Sequence, residues 1–415
     1  MRNNLLPIVS LLLSTFFLMV GAGLQGILLP VRAALEGWSP YEIGLMGTSY
    51  AIGFTLGCVA MPTIVRSAGH VRTFSALASL LAIAILLHGM AIQPVAWIAV
   101  RGVAGFALAG SYMVIESWLN ERVTNETRGR VFSIYMVVSM VAMMAGQFAM
   151  PLADPSLPAV FMLCAIFFAL AVIPNALSRA PSPKPLTQVR LDLRSLYRSS
   201  PAAVAGVFIS GILSGAWVNM APVLGQDIGL STAEISTLLV ATMAGGAVFQ
   251  VPLGRLSDRM DRRYVLALSG AIGVATALSA LTLWSGGAYS LFAIAVVIGG
   301  VIYPTYSLAV AHANDIADPS DFVKISGGLL VLYGFGTMGG PMLAAWLIEC
   351  YGPGGIFIAT GGAHLTLLVS TLLRLFLRSA DPTSQRPEFQ PVPLERMQTP
   401  ASVALDPRAD MALDR

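Results

Sequence analysis

The chain has 415 residues, of which 56% are hydrophobic and only 11% charged. Soluble domains carry about 25% charged residues. This composition, with 40 glycines and recurrent long apolar runs, therefore excludes an ordinary soluble enzyme or nucleic-acid-binding protein. The formal net charge of +3 says little about partners, because placement matters more than the sum.

Twelve apolar runs are predicted to cross a bilayer: 5–29, 44–65, 73–92, 95–115, 131–152, 157–177, 202–224, 235–253, 264–284, 288–311, 325–348 and 355–377. The first is too long for a signal-peptide core and lacks a small-residue cleavage site, so it reads as an uncleaved span. With the N-terminus inside, every Lys and Arg except Arg32 and Arg101 falls on the cytoplasmic side. Both termini are therefore expected to be cytoplasmic. The fold class is an all-α membrane protein with two six-helix halves, 1–178 and 201–378. A basic linker, 179–200, joins them, and 379–415 is expected to be an unstructured cytoplasmic tail. Part of the linker, 192–197, suits either a short helix on anionic lipid or a solvated connection.

The halves repeat. Gly37-Trp38-Ser39-Pro40-Tyr41-Glu42-Ile43 matches Gly229-Leu230-Ser231-Thr232-Ala233-Glu234-Ile235, each just before the second span of its half. A nearly constant register shift places Gly21 on Gly215, Gln25 on Asn219 and Tyr112 on Tyr306. It also places Glu121 on Asp315 and Gly146 on Gly340. Halves repeated in one orientation face each other across a central mid-membrane site in transporters.

Between the eighth and ninth spans lies Gly254-Arg255-Leu256-Ser257-Asp258-Arg259-Met260-Asp261-Arg262-Arg263. It is too short for a domain and long enough only for a charged turn at the membrane surface. The turn resembles the major facilitator superfamily motif G-x-L-x-D-R-x-G-R-R, with Asp261 standing where that family has glycine. In the first half the equivalent loop, 62–72, keeps Gly69 but has Arg66 at the Asp position. Arg101-Gly102-Val103-Ala104-Gly105 resembles the family's R-x-x-x-G pattern in span four. Gly336-Thr337-Met338-Gly339-Gly340-Pro341 resembles an antiporter G-x-x-x-G-P pattern, though in span eleven. Span five has Ala142, Gly146 and Gln147 there. Glu116-Ser117-Trp118-Leu119-Asn120, followed by 124–130, is similar to the YcaD-like branch. The resemblance covers 5–377 and implies a secondary active transporter working by alternating access, with no cofactor and the cargo left open.

Arg101 is the one charge well inside a span, about 9 Å from the outer boundary at helical rise. It either binds an anionic group or couples protons in a cavity, or it is held by backbone carbonyls as a packing residue. Tyr112 lies on its helix face. Gln25 and Asn219 are candidates for the cavity wall from the two halves, or for interhelical hydrogen bonds. Gln147, Trp217, Tyr303 and Tyr306 are weaker candidates for that wall. Glu116 either pairs with Arg128 or Arg130 at the cytoplasmic gate, is solvated, or carries protons. No Asp or Glu sits in the middle of a span; His88 and His364 are either packing residues or titrating groups. Asp258 is expected to face Arg128, Arg130 and the start of span five, held by Arg259 and Arg262, which also anchor the turn to lipid headgroups. Gly146, Gly336 and Gly340 are expected to allow close helix contact. The sequence has no phosphate-binding glycine loop, metal cluster or nucleophile with a base.

The expected partners are a small, anionic or amphiphilic substrate, a proton or another coupling ion, and the lipid of the inner membrane. Nucleic acid is not expected, and the chain is expected to act as a monomer. Export is slightly favoured. The rivals are a non-transporting membrane receptor or scaffold and a membrane-embedded enzyme, the latter needing a constellation of catalytic groups near one depth that the sequence does not show.

Overall fold

The computed structural model describes residues 2–123, 125–177, 196–198, 200–283, 287–316, 322–377, Phe389 and Thr399–Ala401. The expected surface segment at 192–197 lies mostly outside them. Within them the chain is built of long helices. These are α1 (Arg2–Leu35), α2 (Pro40–Ala68), α3 (His70–Met90), α4 (Pro94–Arg122), α5 (Asn125–Phe148) and α6 (Pro158–Ala176). Then follow α7 (Pro201–Asp227), α8 (Thr232–Arg259), α9 (Arg262–Leu283), α10 (Ala288–Ile316), α11 (Phe322–Tyr351) and α12 (Gly355–Leu377). Twelve of the described helices are long and apolar enough to cross a membrane, so each hydropathy span has its helix. Exposed Ile166, Val248 and Leu372 supply the apolar outer surface that lipid requires.

The ends of these helices follow local chemistry. The repeated Gly-x-Ser-x-x-Glu stretch is a stop and a start. Gly37 and Gly229 take φ of 74° and 77°, the left-handed conformation that glycine adopts without a Cβ penalty. The following amides, on Trp38 and Leu230, reach back to Ala33 O and Gly225 O at 3.1 and 2.9 Å, closing α1 and α7. Two residues on, Ser39 and Ser231 open the next helices. Their amides donate to Glu42 and Glu234, both at 2.8 Å, and their hydroxyls accept from the same residues' amides, both at 3.3 Å. Each is a reciprocal capping box. Proline also corrects one span. The apolar run predicted at 131–152 overshoots its helix, because α5 ends at Phe148 and Pro151 sits in a single 3₁₀ turn, Met150–Leu152. Proline has no N–H with which to continue the α-helical ladder.

The chain forms two compact units. One contains residues up to Arg32, those from Ser49 to the end of α6, and Thr399–Ala401. The other contains Ala33–Thr48, α7 to α12 and Phe389. The start of α2 thus clusters with the second unit, where the sequence division at residue 178 had assigned it to the first. Thr48 Oγ1 donates to Met338 O at 2.7 Å, and the Tyr41 amide donates to Glu349 Oε1 at 3.2 Å.

Inside each unit the helices cross at small residues in the same pairs. In the first, a Cβ on Gly146 of α5 would overlap the Val20 carbonyl of α1, and one on Gly53 of α2 would overlap the Gly102 carbonyl of α4. In the second, Gly340 and Gly336 of α11 abut the Ile212 and Phe208 carbonyls of α7, and Gly245 of α8 abuts the Val296 carbonyl of α10. Backbones this close leave no room for a side chain and bring the helices into continuous van der Waals contact.

Candidate functional site

The interior of the first unit is built around Arg101. The residue is 6% exposed, and its guanidinium carbon lies 4.4 Å from the ring centroid of Tyr50 on α2. An aromatic face stabilises a desolvated cation there and fixes the plane of the guanidinium fork. The stack is possible because Gly105 lets α4 close on the Tyr50 carbonyl. Tyr50 adjoins Phe54 (centroids 6.2 Å apart), and Phe54 meets Tyr112 edge-on at 6.1 Å.

The repeat separates what this helix crossing needs from what Arg101 adds. The register that places Gly105 on Gly299 places Arg101 on Ala295, and Tyr50 corresponds to Thr242. In the second unit α8 and α10 still cross at the same depth, with Gly299 closing on the Thr242 carbonyl and Ala295 fully buried. The crossing therefore forms without a guanidinium. Thr242 instead accepts a hydrogen bond from Trp217 Nε1 at 3.0 Å.

Two amides of the first unit lack protein partners at one end. Gln25 is 1% exposed and its Nε2 makes no hydrogen bond; Gln147 is 7% exposed and its Oε1 makes none. A buried amide atom without a partner costs about 1–3 kcal/mol, so each is a polar atom in need of a partner.

The second-unit candidates are placed differently. Trp217 is fully buried, bonded to Thr242 and 6.1 Å from the Phe357 ring, which makes it a packing residue rather than part of a cavity wall. Its indole N–H reaches a hydroxyl that sequence alone does not bring near. Asn219 donates to Gly215 O at 2.8 Å within its own helix and faces Gly47, where a Cβ would fall 2.6 Å from its Oδ1. Tyr303 fills the space left by Gly246, and Tyr306 meets Tyr333 edge-on at 5.2 Å. His88 and His364 each donate Nδ1–H to the carbonyl one turn earlier, at 2.6 and 2.8 Å.

The charged turn is a second centre. Arg262 is 1% exposed and grips Asp315 of α10 with two hydrogen bonds, 2.7 and 3.2 Å; it also reaches Ser257 at 2.9 Å and Asp258 at 3.3 Å. The expectation that Arg262 anchors to lipid headgroups is therefore corrected: it is an interior ion-pair residue, while Arg259 is exposed. Asp315 was missed, although its repeat match with Glu121 marked the position. Asp261 explains its own departure from the family glycine. Its Oδ1 accepts the Arg263 amide at 2.9 Å, capping α9, and its carboxylate is chelated by the Arg263 guanidinium, with the shortest contact at 2.7 Å. Burial alone would raise this carboxyl, but the Arg263 hydrogen bonds and charge, with His312, hold it below its ordinary value. Arg263 continues to Arg374 O at the end of α12, 3.1 Å away.

Glu116, at the far end of α4 from Arg101's turn, is fully buried. Its two oxygens accept from Tyr135 Oη at 3.0 Å and from Thr399 Oγ1. It is therefore not a solvated surface charge. Arg128 is engaged by Asn120 at 2.9 Å, and Arg130 is exposed. The Asp258 carboxylate, expected to face the start of α5, has its Oδ1 taken by Arg262 and by the Phe389 amide at 2.8 Å.

A profile of the Major Facilitator Superfamily matches residues 11–220 and 202–408. The chain is 25% identical over 380 residues to the uncharacterized MFS-type transporter YcaD of Escherichia fergusonii, covering 91% of this chain and 97% of that protein. It is 23% identical over 372 residues to an uncharacterized MFS-type transporter of Yersinia pestis, covering 88% and 95%. Among solved structures it is similar to a mutant of the nucleoside transporter NupG, with TM-score 0.76, 12% identity and coverage of 89% and 100%. It is also similar to a bacterial homologue of the human lysosomal transporter Spinster, with TM-score 0.68, 13% identity and coverage of 99% and 98%. With both repeats matched and the all-helical architecture shared, this chain belongs to the Major Facilitator Superfamily of membrane transporters.

Proposed function

We propose that this chain is a secondary active transporter of the cytoplasmic membrane that moves a small anionic or amphiphilic molecule by alternating access, driven by a proton or other ion gradient. The observation that carries the substrate class is the Arg101–Tyr50 stack. A buried guanidinium is placed where the repeat needs only alanine, so the helix crossing itself does not require it. Gln25 Nε2 and Gln147 Oε1, each without a protein partner, supply a further donor and acceptor for an uncharged part of the same molecule. Export is the direction we favour, on the antiporter-like Gly336–Pro341 pattern in α11. We read both termini as inside, on the distribution of basic residues, and the monomer as the unit of function.

The test is flux into and out of proteoliposomes over a panel of organic anions, amphiphiles and neutral solutes, with and without an imposed proton gradient. At least one anionic or amphiphilic solute should be moved, with a gradient dependence. Arg101→Ala should lower its flux about 10–100-fold, the loss of a charge-assisted contact of about 1.5–3 kcal/mol. Arg101→Lys should fall between, because an ammonium keeps the charge and loses the planar fork. Absence of flux for every solute would favour the scaffold or receptor. Full flux in both variants, with normal folding, would leave Arg101 a packing residue.

A further inference from the structure

We infer that the C-terminal segment of this chain is an intramolecular ligand, seated by Phe389 on the charged end of α8 and by Thr399 on the buried carboxylate of α4. The sequence marks 379–415 as a tail without apolar periodicity, yet two points of it are seated on the residues singled out for gating. Phe389 donates its amide to Asp258 Oδ1 at 2.8 Å, and its ring lies over Gly254, where any Cβ would overlap it. The ring packs against a buried cluster that includes Leu253, Val265 and Leu266. The glycine and the aspartate of the turn therefore form a receptor: a floor without a side chain for an aromatic ring, and a carboxylate for the peptide N–H beside it.

Thr399 is the second anchor. It is fully buried, donates its hydroxyl to Glu116 Oε2 and accepts the Ala401 amide at 3.2 Å. Glu116 is a buried carboxylate with Tyr135 on its other oxygen, so the tail supplies a hydroxyl that this carboxylate uses. A buried hydroxyl and a buried carboxylate each need a partner, and here they satisfy one another.

A protein truncated after Arg378 and a fluorescent peptide of residues 385–403 test the docking. The peptide should bind the truncated protein saturably and bind the full chain at least tenfold more weakly, because its site is already filled. Phe389→Asp with Thr399→Val in the peptide should weaken binding at least tenfold. Hydrogen exchange at the ends of α4 and α8 should speed up severalfold on truncation and slow again on adding peptide. A chain ended after Ala401 should behave as the full protein. If the truncated protein does not fold, the full chain carrying both substitutions takes its place, with the same expected rise in exchange. Failure of the peptide to bind folded truncated protein, or exchange unchanged in every variant, would overturn the docking.

Discussion

Asp261 shows how a single residue can depart from a family pattern and still serve the same turn. A glycine there would give the backbone freedom to enter α9. The aspartate gives a cap on the Arg263 amide and a chelated guanidinium in its place. Two substitutions separate these contributions. Asp261→Asn keeps a capping oxygen and loses the charge, so it should cost about 1.5–3 kcal/mol of stability. Asp261→Gly loses the cap as well, a further cost of about 1 kcal/mol. Denaturant unfolding in detergent micelles checks the order, and equal costs would show that the cap contributes nothing. The same carboxyl sets a pH dependence. Its folded-state value is held below its ordinary 3.8, so the stabilisation is complete above that value and is lost as pH falls through the lowered one. Unfolding measured between pH 5 and pH 2.5 should show a steeper acid loss for the parent chain than for Asp261→Asn.

Helices in this chain meet at particular glycines, and neighbouring ones in the same helix differ in kind. A Cβ at Gly340 would overlap the Ile212 carbonyl of α7, whereas one at Gly339 meets nothing within 4 Å. Gly339→Ala should be neutral or stabilising, since alanine is the better helix former by about 0.5–1 kcal/mol. Gly340→Ala forces α7 and α11 apart and should cost about 1–3 kcal/mol. Thermal unfolding of the two variants checks this, and matched midpoints would deny α11 its role as a close-packing helix. Such distinctions were partly legible beforehand. Hydropathy located the spans, and the Gly-x-Ser-x-x-Glu repeat located the matching helix ends, because both are local signals. The aromatic stack on Arg101 was not legible. Nothing in the order of residues says that Tyr50 faces Arg101, or that Trp217 turns to Thr242, because those pairings are fixed by where two backbones cross. Asp315 and the tail anchors failed to show for the same reason: their partners lie far away along the chain.

At the scale of the molecule, the distribution of charge and the burial of the exceptions have to be taken together. Every basic residue outside the expected inner side is accounted for by a specific contact. Arg101 is stacked on Tyr50, and Arg32 is buried with its guanidinium donating to Pro155 O at 3.0 Å. Neither is a free charge holding a loop in place, so neither weakens the orientation set by the rest. The buried arginines of the turn are a different matter. Arg262 and Arg263 are neutralised by Asp315 and Asp261, which leaves Arg255 and Arg259, both exposed, as the basic residues of this turn that oppose translocation, beside those of the other inner loops. The expected topology therefore depends on fewer charges than the sequence count implies. It should still hold. A single cysteine at Ser156, exposed between α5 and α6, should react with an impermeant maleimide added to intact cells. A single cysteine at Ser195 should react only after the membrane is opened. The exposed charges can be probed in the same assay. Arg255→Gln with Arg259→Gln should leave labelling at Ser195 unchanged, because the linker's own basic residues remain. Labelling of Ser195 in intact cells carrying the parent sequence would reverse the assigned orientation, and with it the placement of the Asp258 turn and the tail at the cytoplasmic face.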